Sequence, residues 1–317
     1  KWLAMSAFLC LACSAAWPFT EARDQPGVVV TYDEGLVRKD HTVNSFSGLL
    51  LALMDDSVDR ILLEPGHYTM RRTLVLKRSL VMEAKVPGEV VLQGNSSCPL
   101  GFFEGADEAH RYSECEHTPL RVIDVPPDVK QSVTIELIGL NITGGYGTDG
   151  NGGGIRIAGG AMRLKNCNIY ESRAQALSDG SDDGDNTDAG GGGGVAIEGD
   201  AEVNMTGCAI HSNNALEGRG AGVLIKSGAV RFKHVKIFRN GVPPAGEAVP
   251  SMFRAGGGVR IEGGSVAFES CDVDANLGSG LAVFGKASVV VNDTKIHDNN
   301  ATEGGGVHQG GGASLFR

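Results

Sequence analysis

Along the second half of the chain, apolar and polar side chains alternate in short runs that open after glycines, and the whole pattern recurs. Five segments superimpose: "GGGIRIAGGAMRLKNCNIYES" from Gly152, "GGGVAIEGDAEVNMTGCAIHSN" from Gly192, "GAGVLIKSGAVRFKHVKIFRN" from Gly220, "GGGVRIEGGSVAFESCDVDAN" from Gly256 and "GSGLAVFGKASVVVNDTKIHDN" from Gly278. A sixth opens at Gly304 with "GGGVHQ". Each unit reads as glycines, a short strand with period-two apolar positions, a turn, a second strand, a third short strand and an asparagine. Strands this short bury no face alone. Stacked as coils of a solenoid they do, because each backbone pairs with the next at about 4.8 Å and like positions pile into columns.

The columns follow from the alignment. One holds Ile155, Val195, Val223, Val259 and Leu281; the next Ile157, Ile197, Ile225, Ile261 and Val283; a third Leu164, Met205, Phe232, Phe268 and Val291. Three residues beyond a further apolar column stand Ser172, Asn213, Asn240, Asn276 and Asn299. An amide both donates and accepts, so stacked copies bond to one another and to turn backbone, and repetition at one register favours this structural role over ligand binding. Cys167, Cys208 and Cys271 share an inward column with Val235 and Thr294, which suits small core residues. An inter-coil bond between Cys167 and Cys208 is the other reading, while a zinc site would need a CxxC spacing that is missing. The glycine triplets sit where a turn delivers the chain into a strand and positive φ is needed.

Upstream, an amphipathic segment from Val43 to Met54 leads into short strands around Ile61, Leu74 and Val90. With the sequence "EPGHY" (Glu64 to Tyr68), a capping helix followed by a strand and proline-glycine-x-tyrosine, the chain resembles the right-handed parallel β-helix proteins of the pectin-lyase-like superfamily. The repeats are similar to the GGA[ILV] and FxxN repeats of polymorphic outer-membrane adhesins and related extracellular repeat proteins. The resemblance runs from about Ser45 to the C-terminus and implies an all-β, right-handed parallel β-helix whose open end is covered by a short helix. The expected organisation is a signal peptide over 1–22, an N-terminal segment with the capping helix over 23–60, and the β-helix over 61–317.

Composition adds a compartment. The opening "KWLAMSAFLCLACSAAWPF" pairs a basic residue with an apolar stretch and small residues, as a secretory signal does, and no later segment approaches a membrane span. Sequons at Asn95, Asn141, Asn204, Asn292 and Asn300 agree with a secretory route and are candidate glycosylation sites. Cys98 and Cys115 are expected to pair across the polar segment between them, as oxidising compartments allow. A secreted or cell-surface protein follows. The net charge of −10, with no run of lysine or arginine, argues against nucleic acid as a partner.

The resemblance makes a polysaccharide lyase or hydrolase acting on acidic polysaccharide the first chemistry to test, since fold alone does not license it. The hydrolase pattern NTD, DD, GHG, RIK is matched only by Asn186-Thr187-Asp188, with Asp182-Asp183 out of order before it. The lyase patterns WiDH and RxPxxR are missing. The esterase pattern GxYxE stops at Gly66 and Tyr68, because Met70 follows. The segment "GGYGTDGNG", with Asp149, resembles a calcium-binding nonapeptide but has no tandem copy.

Asp182, Asp183, Asp185 and Asp188 lie in an excursion from Gln175 to Gly191, and a second excursion leaves the equivalent turn at Gly241. These carboxylates are hard oxygen ligands for calcium, the one cofactor worth considering; a solvated loop is the alternative, because no EF-hand spacing is present. An outward column of Tyr170, His211, Phe238, Asp274 and His297 offers an aromatic stripe for stacking sugars or plain surface decoration. The expected function is a non-catalytic module whose side wall and edge loops bind an extracellular glycan, a polysaccharide or a surface protein. An enzyme on acidic polysaccharide and a structural spacer of a larger surface protein are the alternatives.

Overall fold

The computed structural model describes residues 39–94, 120–148, 150–175, 190–216, 220–241, 257–301, 305–310 and 314–316. Their strands form three long parallel sheets that wind around one another as the walls of a solenoid. Wall one has ten strands, from Lys39–Val43 to Ser314–Phe316; walls two and three have eight each, from Gly66–Thr69 to Lys295–His297 and from Leu74–Val75 to Val307–Gln309. This is the right-handed parallel β-helix that the resemblance implies, built on the solenoid expected from the repeats.

The registers reproduce the columns. Ile155 pairs with Val195, Val195 with Val223, Val223 with Val259 and Val259 with Leu281, while Leu164, Met205, Phe232, Phe268 and Val291 are likewise in line. Each wall points alternate side chains inward, so aliphatic columns meet along the axis and form one continuous core. Within it Phe232 and Phe268 stack with centroids 4.8 Å apart. Cys167, Cys208 and Cys271 are buried free thiols.

Wall one begins earlier than residue 61. Lys39–Val43 pairs in parallel with Val58–Leu63, so the solenoid's pairing starts ahead of the helix Phe46–Met54. The helix is a connection between these strands. Ser45 caps it by accepting from the Gly48 amide at 3.2 Å, and Leu49 and Ala52 turn inward. Its C-terminal carbonyls meet Arg78, whose guanidinium donates to Ala52, Asp55 and Val58. Tyr68, the tyrosine of the opening motif, is buried with its hydroxyl 2.8 Å from the Val43 carbonyl and 3.0 Å from that of Glu64. It ties the first strand to the turn after the second, and burial pushes its pKa up to about 12.

A small fourth sheet, not anticipated from the pattern, joins Tyr146–Gly147, Arg173–Gln175 and Asn214–Leu216. It follows the asparagine ladder. Asn240 donates from Nδ2 to the Ile210 carbonyl and to Asn276 Oδ1, and its own Oδ1 accepts from the backbone and side-chain amides of Asn213. Asn276 and Asn299 repeat the arrangement, and Ser172 closes the row by donating its backbone amide to Asn213 Oδ1.

The triplet glycines divide their labour. Positive φ explains only the first of them, as at Gly192 with φ +67°. The second is pressed against the chain beyond the ladder, and a Cβ at Gly193 would overlap the Asn214 carbonyl. The third lies over the ladder: a Cβ at Gly222 would stand 2.9 Å from the Asn240 amide.

Candidate functional site

Alternation decides which side chains reach solvent. On wall two the outward column holds Tyr170, His211, Phe238, Asp274 and His297 in register. The three rings stack on one another, Tyr170 on His211 at 5.3 Å and His211 on Phe238 at 4.7 Å, with planes within 6° and 17° of parallel. A sugar stacks on the face of a ring, and here both faces of His211 and one face each of Tyr170 and Phe238 are covered by neighbouring rings. The column therefore offers a sugar less ring face than three separate rings would. Burial in the stack holds His211 below its ordinary pKa.

His297 is different. Its Nδ1 lies 2.8 Å from Asp298 and its Nε2 3.1 Å from Asp272. Asp298 foremost, with Asp272 assisting, raises its pKa, which favours the imidazolium.

Several other carboxylates along the walls meet cations. Glu83 receives Arg60, Glu64 receives Lys85, Glu136 receives Lys165 and Glu269 receives Lys233. On wall three Asp124 lies 3.1 Å from Arg121 and 3.3 Å from Arg156, and Arg156 also bonds Glu198. Arg260 sits 4.1 Å over the Phe284 ring and bonds Glu262 at 2.6 Å.

One coil departs from this balance. Residues 220–241 carry Lys226, Arg231, Lys233, Lys236 and Arg239 and no aspartate or glutamate. Searching for a contiguous basic run misses this group, because period-two alternation separates each cation from the next by buried apolar residues. A charge count per repeat finds it.

The acidic excursion (Asp182, Asp183, Asp185, Asp188), Asp149, the Cys98 and Cys115 pair and Asn95 lie outside the described residues. Of the other sequons, Asn292 and Asn300 are exposed, Asn204 faces outward on wall one, and Asn141 donates to the Gly88 carbonyl at 2.7 Å. Among the described residues no group of three or more histidine, cysteine, aspartate or glutamate side chains is placed to hold a metal, and no helix is long and apolar enough to cross a membrane.

The chain matches the family described as "Right handed beta helix region" over residues 153–316. No curated protein matches it. Among solved structures it is similar to the crystal structure of alginate lyase from Paenibacillus sp. str. FPU-7, with 13% identity and a TM-score of 0.31, over 87% of this chain and 99% of that one.

Proposed function

We propose, for a chain that belongs to the right-handed β-helix family, that it is a secreted or cell-surface module binding extended extracellular glycans or surface proteins along its walls without turning them over. The observation that carries this reading is the in-register stacking of outward side chains on the long walls. Ten strands at about 4.8 Å spacing present the same few positions over roughly 40 Å, a surface that suits a partner which itself repeats. Hydrolysis or elimination on a glycan instead asks for an acid and a base converging on one bond. The wall carboxylates described above are spread along the solenoid and engaged by cations. His297, held between two carboxylates, is favoured as a charged donor over a base.

The test is retention on a panel of immobilised neutral and acidic polysaccharides, coupled to an assay for unsaturated or reducing-end products with and without calcium. Retention without product is expected. Product release would overturn the reading in favour of a lyase or hydrolase, and retention of no glycan would remove glycans from it.

A further inference from the structure

We infer that the coil formed by residues 220–241 is a cationic belt that binds an anionic glycan, an inference that rests on the binding reading above and names its ligand class. The chain as a whole has a net charge of −10, yet this coil carries five lysines and arginines and no acid. Alternation dictates where they point. Val230, Phe232, Val235 and Ile237 are buried, which sends Arg231 and Lys233 outward on wall one and Lys236 outward on wall two, about 7 Å between alternate residues of a strand. Lys226 and Arg239 stand in the turns at either end of this arc.

The plainer account is that the belt neutralises its neighbours, since residues 190–216 contain Glu198, Asp200 and Glu202, and residues 257–277 contain Glu262, Glu269, Asp272 and Asp274. The pairing does not follow that account. Glu198 is taken by Arg156, Glu262 by Arg260 and Asp272 by His297, and Glu202 is bonded by Asn204. Among the described residues only Lys233 forms an ion pair with an acid of a flanking coil, Glu269 at 2.8 Å, a carboxyl whose charged form Arg231 and His234 also favour through space. The side chains of Lys226, Arg231, Lys236 and Arg239 engage no ion pair or hydrogen bond among the described residues. An exposed pair such as Lys233 and Glu269 is weak enough to be exchanged for a ligand.

A guanidinium binds carboxylate and sulfate in the same two-pronged geometry, and the ammonium groups add point charge, so the shared chemistry is a linear glycan bearing either group. Nucleic acid fits less well. Single strands need open aromatic faces, and Phe238, the aromatic outward on this coil, has its ring stacked on His211. Duplex binding draws on many phosphate contacts, against which the acidic remainder of the chain works.

The experiment uses the full chain and measures affinity and eluting salt on heparin, a sulfated glycan, on polygalacturonate, a carboxylated one, and on neutral dextran, with duplex DNA as competitor. The variant Arg231→Gln/Lys236→Gln should weaken polyanion binding about tenfold and lower the eluting salt. The variant Arg71→Gln/Arg72→Gln, which removes two exposed charges near the other end, should stay within about twofold. Circular dichroism checks folding, and Lys236→Gln alone, with about a threefold loss expected, serves if the double variant unfolds. Equal losses from the belt and control variants would overturn the inference, as would DNA displacing heparin. Retention of dextran but neither polyanion would sink the belt and leave the binding reading standing; retention of none would remove both.

Discussion

Tyr170 and His211 lie face to face on wall two, with ring centroids 5.3 Å apart and planes 6° from parallel. Phe238 covers the opposite face of His211 at 4.7 Å. An imidazole enclosed in this way loses part of the hydration its charged form needs, which is why burial is the main cause of its lowered pKa.

His211 and His297 should therefore titrate on opposite sides of 6.5, the ordinary value for both. His211, depressed in the folded state, contributes stability that is complete above 6.5 and is lost as pH falls through its folded pKa. His297, raised, contributes stability that is complete below 6.5 and is lost as pH rises through its folded pKa. Imidazole chemical shifts followed by NMR across this range check the assignment. Coincident midpoints, or the reverse order, would refute it.

Asn240→Ala should destabilise the fold by about 2–4 kcal/mol, because it strips the backbone and side-chain amides of Asn213 of their acceptor in a buried row. Asn240→Asp should not rescue it, since a carboxylate would face the Ile210 carbonyl and Asn276 Oδ1 in place of a donor. Urea denaturation of both variants measures this. A loss of glycan retention at unchanged stability would instead mark the ladder as a ligand site.

The third triplet glycine should be sensitive only where the ladder passes it. A Cβ at Gly280 would stand 2.6 Å from Asn299 Nδ2, whereas one at Gly306 meets nothing within 4 Å among the described residues. Gly280→Ala is expected to cost about 2–3 kcal/mol and Gly306→Ala less than about 0.5 kcal/mol. Thermal unfolding of the pair is the comparison, and equal shifts would contradict the close-approach explanation.

Cys167 and Cys271 should resist alkylation in the native state. Neighbouring Cys208, together with burial, holds the Cys167 thiol well above its ordinary pKa, and burial raises that of Cys271. The reactive thiolate is thus scarce as well as shielded. Peptide mapping after iodoacetamide treatment at mildly alkaline pH should find both unlabelled until urea is added. Labelling in the folded chain would show that the core opens there.

Much of this was legible in residues alone. Ile155, Val195, Val223, Val259 and Leu281 could be placed in one column because a solenoid repeats one local rule, and a period-two pattern held in register leaves a single consistent stacking. The asparagines were readable for the same reason. The fourth sheet was harder, because Arg173–Gln175 and Asn214–Leu216 carry no shared apolar alternation and pair only once the ladder has set their positions. The belt was hidden in a different way: its cations are dispersed along the chain and come together only when the residues between them turn inward.

The sequence by itself determined the repeat, the inward columns, the ladder and the wall on which each outward residue stands, since these depend on spacing and side-chain type. Tertiary structure decided what those outward residues are free to do. Whether a ring offers its face depends on the ring one coil away, as with His211 between Tyr170 and Phe238. Whether a cation is available depends on which neighbour has already taken the nearby acid, as Arg156 takes Glu198 and leaves the belt exposed. Both are short-range contests between coils, and distances of a few ångströms settle them.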